Sequence, residues 1–262
     1  MSMTASPPVV LVLAGLDPSG GAGLAADLQT LNALGCHAAP VATALTVQDT
    51  LNARRVDALP ADLLLEQARA VIQDSAALAA IKIGLCADVD TVHALARIID
   101  LARDHRPDVP VVLDPVLSAG GGMALTPTAL PATLSQALIP KTDLITPNAA
   151  EAQALGGVAQ LLALGAKAIL LTRGDAPQPI IRNSLHLAGQ APRHFDWPRV
   201  PGQFRGTGCT LASACAAGLA HGLTPVAACQ QAQRFVAHSV AHAYATGRGQ
   251  AIPHRFQPWT PR

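Results

Sequence analysis

The sequence predicts an α/β protein built on a mostly parallel sheet with helices on both faces. Three observations carry that expectation. Short apolar runs alternate with longer amphipathic stretches along the whole chain. The runs are apolar throughout, as strands buried on both faces are, and strands alternating with helices imply parallel crossovers. Polar residues fall just past the ends of the runs, the edge at which open α/β sheets bind ligands. A length of 262 residues suits one large α/β domain or two small ones. No repeat, low-complexity tract or linker divides the chain, so residues 1–262 are expected to form a single domain.

The first strand is expected over 9–14, an apolar run too short to cross a bilayer and closed by Asp17. A helix follows over 23–34 and a strand over 38–44. Pro60 enters a helix over 61–74. The alternation continues with a strand over 79–83, a helix over 88–103, a strand over 109–113 and a helix over 126–138. A short strand over 144–146 leads into a helix over 148–155. A turn or two of helix over 159–164 precedes a strand over 168–172. Residues 180–187 and 193–197 read as a hairpin, and long helices are expected over 207–221 and 224–244. The Pro-rich stretch 253–261 reads as an irregular surface segment. In this scheme Asp17, Gln48, Asp114, Asn148 and Arg173 each lie just past the carboxyl end of a strand.

Half the residues are apolar, enough for a sizeable core. Eighteen Lys and Arg against 17 Asp and Glu leave a formal charge of +1, which gives no sign of a nucleic-acid or membrane-surface partner. Five cysteines, none in a Cys-x-x-Cys pair, argue against a disulfide framework and for a reducing compartment. The N-terminus lacks a positive stretch followed by a long apolar one, so the expected location is the cytoplasm.

Two glycine-rich segments stand between strands and helices. Arg205-Gly206-Thr207-Gly208-Cys209-Thr210 opens a long helix. Glycines let a backbone approach an anion closely, and the free N–H groups and dipole of the helix N-terminus bind negative charge. A loop whose glycines serve only turn geometry fits the same residues. Asp17-Pro18-Ser19-Gly20-Gly21-Ala22-Gly23 is neither a Walker A sequence nor a dinucleotide fingerprint. Taken alone it reads first as a flexible connection that caps a helix.

Taken together, the segments resemble the hydroxymethylpyrimidine-phosphate kinases of the ribokinase-like superfamily. That family carries Gly-x-Asp-Pro-Ser-Gly-Gly-Ala-Gly and then Ala-Asp-Leu, as here over 15–23 and 26–28. It carries Thr-Ala-Leu-x-x-Gln (43–48), Lys-Ile-Gly (82–84), Asp-Pro-Val (114–116), Thr-Pro-Asn-x-x-Glu (146–151) and Gly-Thr-Gly-Cys-Thr-Leu (206–211). The motifs occur in family order across nearly the whole chain. The resemblance implies a three-layer α/β/α sandwich with a mostly parallel central sheet, ATP and Mg²⁺ as cofactors, a small pyrimidine substrate and a homodimer. Four departures stand out. Thr172-Arg173-Gly174-Asp175 replaces a Lys-Gly-Gly segment, and residues 118–122 replace Lys-Ser-Gly. The stretch between Glu151 and Ala168 is shorter, and Arg205 stands where a His is frequent. These departures fall on residues expected to handle the nucleotide.

By resemblance, Gly206, Thr207, Gly208 and Cys209 form the phosphate cradle and anion hole. A thiol at a helix N-terminus is expected either to ionise or to act through its place in that hole; an inert helix-start cysteine is the alternative. Gln48 reads the pyrimidine edge with its amide donor and acceptor, near Asp27 and the Gly21, Ala22 and Gly23 backbone. A surface Gln is the alternative. Lys82, inside an apolar strand, requires a phosphate or carboxylate partner and is placed with the substrate. Arg173 takes the missing Lys's place on the nucleotide phosphates, with Thr207 and Asn148, or is a solvated strand-end residue. Asp114 and Glu151 are the Mg²⁺ candidates; Asn148 and Glu151 also fit a helix capping box. His238 and His242, four apart without the zinc-protease Glu, read as packing or surface residues. The rival readings are a pyridoxal kinase of the same superfamily and a catalytically weak ligand-binding relative.

Overall fold

A computed structural model describes residues 6–117, 128–174 and 178–256. The 118–122 departure, the start of the helix expected from 126, and residues 257–261 lie outside the described residues. In chain order the elements are β1 (Val9–Leu16), α1 (Gly23–Ala33), β2 (His37–Gln48), β3 (Ala53–Ala58), α2 (Ala61–Asp74), β4 (Leu78–Ile83), α3 (Val89–His105), β5 (Val111–Leu113), α4 (Leu130–Ala137), β6 (Leu144–Ile145), α5 (Ala149–Ala154), α6 (Gly157–Ala163), β7 (Ala168–Leu171), β8 (Ile180–Leu187), β9 (Arg193–Pro198), α7 (Thr207–Ala220) and α8 (Pro225–Ala241).

The strands form one sheet in the order β3-β2-β1-β4-β5-β6-β7-β8-β9. The pairings from β2 through β7 are parallel, while β3, β8 and β9 pair antiparallel. Successive strand residues point to opposite faces, and both faces are apolar. Leu11, Leu13, Ile81, Ile83, Val111 and Leu113 pack in one cluster with residues of α2, α3 and α4. Val10, Val12, Ala14, Ala80 and Val112 pack in the other with α1, α7 and α8. Each Val, Leu or Ile among them contributes roughly 1.5–3 kcal/mol on full burial, which is why helices cover both faces and the architecture has three layers.

Two features of this frame set the site. The chain passes from β1 to β2 on one side and returns to β4 on the other, so the carboxyl end of β1 is a topological switch point, where such sheets open a crevice. Helix α7 buries a run of small residues from Ala212 to Gly218. A Cβ on Gly218 would lie 2.9 Å from the Cβ of Ala228, so α7 sits close against α8. Its N-terminus is thereby held over the sheet edge.

The fold departs from expectation in three places. Strand β2 runs on to Gln48, so Gln48 ends the strand instead of following it, and β3 pairs back antiparallel across it. Asp49 shapes the turn, its carboxylate accepting from the N–H groups of Leu51 at 2.8 Å and Asn52 at 3.0 Å. Helix α8 stops at Ala241, and Tyr244 instead pairs with Ile252. The stretch expected to be surface from 253 is partly interior: Pro253 and Arg255 are buried. The segment leading to it is tied down, Gly249 and Gln250 donating to Thr50 and Arg205 donating to the Ala251 carbonyl.

Candidate active site

The first glycine loop is organised by Asp17. Its carboxylate accepts from the Ser19 N–H at 2.8 Å, the Ala22 N–H at 3.0 Å and Arg205 Nε at 2.8 Å. Gly23 is required at the loop's end: φ is +54°, and a Cβ would lie 2.1 Å from the Gly15 carbonyl oxygen. The second loop meets the first backbone to backbone. Gly206 has φ +72°, and a Cβ there would lie 2.1 Å from the Gly21 carbonyl oxygen. The first turn of α7, with Thr207, Gly208 and Cys209, leaves N–H groups without intrahelical partners at this junction. The fold thus brings together two loops whose Asp17 and Arg205 lie 188 residues apart in the sequence.

Gln48 lies beside them, half-buried, and its Oε1 accepts from Arg205 Nη2. A guanidinium only donates, so the amide oxygen must face Arg205 and the Nε2 donor is turned elsewhere. Arg205, grouped by sequence with the nucleotide departures, instead joins Asp17 to Gln48. Its position was visible in the sequence; its partners, 188 and 157 residues away, were not.

Beneath the loops lies a buried charged cluster. Lys82 donates to Asp27 at 2.9 Å, and Ser213 Oγ donates to the other Asp27 oxygen at 2.7 Å. Neither Lys82 nor Asp27 exposes any side-chain surface. The carboxylate partner expected for Lys82 is therefore Asp27, and both residues form the floor beneath the loops. Burial pulls the Lys82 ammonium down, but Asp27, Cys209 and Asp114 outweigh it and hold its pKa above the usual lysine range.

Asp114, just past β5, is buried, and a Cβ on Gly208 would lie 3.8 Å from both its oxygens. Burial raises its pKa to about 6, with Asp27 adding and Lys82 and a hydrogen bond from Cys209 opposing. The Cys209 thiol is pushed up to about 12, chiefly by burial and then by Asp114 and Asp27, against Lys82 and the Gly23 N–H. Burial, with Asp114 and Asp27 adding to it, favours the neutral thiol, and so the positional role over the ionised one.

The remaining candidates lie further along the edge. Asn148 and Glu151 form a complete capping box, with Glu151 N–H to Asn148 Oδ1 and Asn148 N–H to Glu151 Oε2 both at 2.9 Å. Arg173 is exposed, and its backbone N–H donates to Asn183 Oδ1 at 3.0 Å. Its guanidinium makes no ion pair among the described residues. His238 and His242 lie with ring centroids 4.6 Å apart and planes tilted by 45°. Among the described residues no group of three or more His, Cys, Asp or Glu side chains is arranged to hold a metal ion. A Mg²⁺ that keeps several waters and shares substrate phosphates needs only one or two carboxylates, and Asp114, buried beside Gly208 at the loop junction, is a carboxylate so placed. The functional candidate that sequence missed outright is Arg255, which donates to Gly21 and Gly206 from the C-terminal segment.

The raised Asp114 pKa has a consequence for stability. The folded state holds this proton more tightly than the unfolded chain, so the ionised carboxylate costs stability, increasingly as pH rises from about 4 through about 6. Asp114→Asn is expected to raise the unfolding free energy at pH 8 by about 1–3 kcal/mol, with the gain vanishing near pH 4. Urea melts at both pH values check this, and an unchanged or lower midpoint at pH 8 contradicts it.

Comparison with known proteins places these features in context. A family profile described as phosphomethylpyrimidine kinase matches residues 17–254. The chain is similar to a hydroxymethylpyrimidine/phosphomethylpyrimidine kinase of Mycobacterium tuberculosis, 38% identical over 261 residues that cover 93% of this chain and 92% of that one. It is also similar in structure to a phosphomethylpyrimidine kinase from Clostridium difficile 630, with TM-score 0.74 and 26% identity over 90% of this chain and 100% of that one. A Bacillus subtilis pyridoxal kinase solved as an ADP complex superposes with TM-score 0.84 and 26% identity, covering 95% of this chain and 98% of that one. The three-layer architecture is ribokinase-like.

Proposed function

The chain belongs to the phosphomethylpyrimidine kinase family, and on that premise we propose that it transfers a phosphoryl group from ATP to 4-amino-5-hydroxymethyl-2-methylpyrimidine, and then to the monophosphate, in thiamin biosynthesis. The observation that carries this reading is the junction of the two glycine loops at the N-terminus of α7, directly beside Asp114. Phosphoryl transfer asks the protein mainly for positioning and charge stabilisation, and backbone N–H groups at a helix N-terminus supply both. Gly206, Thr207, Gly208 and Cys209 are the proposed cradle. With a neutral thiol, Cys209 acts through position, joined to Asp114 and Gly23. Gln48 and the Gly21–Gly23 backbone hold the pyrimidine, above the Asp27–Lys82 floor. Arg173, Thr207 and Asn148 meet the nucleotide. Mg²⁺, when bound, neutralises phosphate charge; Asp114 would hold it, with Glu151 acting through water.

The wider reading follows. Residues 1–262 act as one kinase domain, in the cytoplasm; among the described residues no helix is long and apolar enough to cross a membrane. The partners are small molecules and a second copy of the chain. Leu16 and Leu45 are register neighbours on β1 and β2, and both, with Val47, are exposed, a face that fits a homodimer contact. Light scattering on the purified protein reads the mass directly.

Gln48→Ala is expected to raise the pyrimidine's KM about tenfold to a hundredfold, as the loss of a hydrogen-bond partner worth roughly 1–3 kcal/mol implies. The KM for ATP should barely move. Equal changes in both would take Gln48 out of the pyrimidine pocket. The function itself is tested by comparing kcat/KM for the hydroxymethylpyrimidine and for pyridoxal. A higher value for pyridoxal, the substrate class favoured by the structural likeness to the B. subtilis enzyme, overturns the proposal. No turnover of either makes the chain a binding relative.

A further inference from the structure

Arg255 is among the largest wholly buried side chains in the described chain, with no exposed surface. Its Nε donates to Thr210 Oγ1 at 2.8 Å and its Nη1 to Gln29 Oε1 at 3.1 Å. Its Nη2 donates to the carbonyl oxygen of Gly21 at 2.9 Å and, at 3.4 Å each, to those of Arg205 and Gly206. Every one of these acceptors is neutral, and among the described residues no carboxylate lies within ion-pair distance; Asp27 and Asp17 act on the guanidinium only from further off. Lys82, the other wholly buried cation, has Asp27 at 2.9 Å. A desolvated charge without a counter-ion is costly. The carbonyl dipoles offset part of that cost, and an anion arriving above the loops would offset more.

The placement of the three carbonyls supplies the second half of the inference. The Gly21 oxygen belongs to the first glycine loop, those of Arg205 and Gly206 to the second. In a trans peptide the C=O and the following N–H point in opposite directions. A guanidinium that grips the Arg205 and Gly206 carbonyls from beneath therefore turns the Gly206 and Thr207 N–H groups away from itself. Hydrogen bonds on a carbonyl also polarise the peptide and strengthen its N–H as a donor. The fit is close: a Cβ on Gly206 would lie 2.9 Å from Arg255 Nη2.

We propose that Arg255 is a positioning residue for phosphoryl transfer, locking the two glycine loops together from below, aiming the Gly206 and Thr207 N–H groups at the transferring group and lending that site a positive charge that no adjacent carboxylate neutralises. This rests on the reading of the loop junction as the phosphoryl site. It does not depend on which heterocycle is the acceptor, and it is tested without one. In the parent protein, Mg-ADP with aluminium fluoride, a mimic of the transferring phosphoryl group, is expected to shift the Arg255 Nε–H, Gly206 and Thr207 resonances in ¹H–¹⁵N spectra well beyond Mg-ADP alone. Identical spectra with the two probes overturn the proposal, whether or not any variant folds. Arg255→Gln keeps donors but removes the charge; Arg255→Lys keeps the charge but removes the fork. Arg255→Gln is expected to lower kcat about a hundredfold, the lower end of what loss of an oxyanion donor costs, and Arg255→Lys, which keeps the charge, about tenfold, while KM for ATP changes less than about threefold. Folded variants with parental kcat overturn it. Resonance shifts without pyrimidine turnover would instead sink the proposed substrate and leave Arg255's role standing.

Discussion

Lys82→Met is expected to destabilise the protein by about 3–5 kcal/mol, the cost of stranding one partner of a buried ion pair. The substitution leaves the Asp27 carboxylate wholly buried with Ser213 Oγ at 2.7 Å as its remaining side-chain donor. It also removes the one cation that opposes the rise in the Asp114 and Cys209 pKa values. Urea denaturation of the single and double variants separates the pair from its neighbours: Lys82→Met with Asp27→Leu should recover most of the loss, because no uncompensated charge remains. A loss under about 1 kcal/mol for the single variant would mean that the pair does not hold the floor of the site together.

Gly206→Ala is expected to lower kcat by a hundredfold or more. A φ of +72° costs a residue with a Cβ roughly 1–2 kcal/mol in backbone strain alone. The added Cβ would also lie 2.1 Å from the Gly21 carbonyl oxygen and 3.0 Å from the Ala22 Cα, so the two loops must part. Moving the first-turn N–H groups of α7 by even a fraction of that distance takes donors off the developing charge. Gly189→Ala is the control. Its φ of +69° carries similar strain, but a Cβ there meets nothing within 4 Å, and its turn lies on the β8–β9 hairpin. It should lose a little stability and keep parental turnover. Steady-state kinetics of the two variants check this, and parental kcat in Gly206→Ala would break the link between loop contact and catalysis.

Much of the fold could be read because burial on both faces leaves a strong mark. The runs that became β1, β5, β6 and β7 carry no charged or polar side chain, and β4 carries only Lys82. Strand β3 left no such mark. It is an edge strand, Ala-Arg-Arg-Val-Asp-Ala, with Arg54 and Arg55 turned to solvent against Asp49 and Asp57, and its pairing is backbone chemistry that side chains do not announce. The glycine loops were legible because positive φ and close backbone approach demand glycine. That Lys82 needs an anionic partner, phosphate or carboxylate, was legible, since a buried ammonium is costly alone, but only the fold identifies Asp27, 55 residues away. The sequence left Cys209 open between an ionised and a positional role, because a helix N-terminus can be read from sequence, whereas the desolvation and the two carboxylates near the thiol cannot. Arg255 was hidden in a Pro-rich stretch whose composition resembles a surface tail. Its burial depends on the turn after α8, which returns the chain under both loops at Ile252.

The loop junction is expected to move the γ-phosphoryl group of ATP onto a hydroxymethylpyrimidine. The most direct measurement is ³¹P NMR of purified protein with Mg-ATP and 4-amino-5-hydroxymethyl-2-methylpyrimidine, following both nucleotide and product. The expected result is a phosphate monoester resonance that grows as ATP falls, followed by a diphosphate pair as the monoester is consumed. Loss of ATP with inorganic phosphate as the only new resonance, or no loss of ATP, would contradict it.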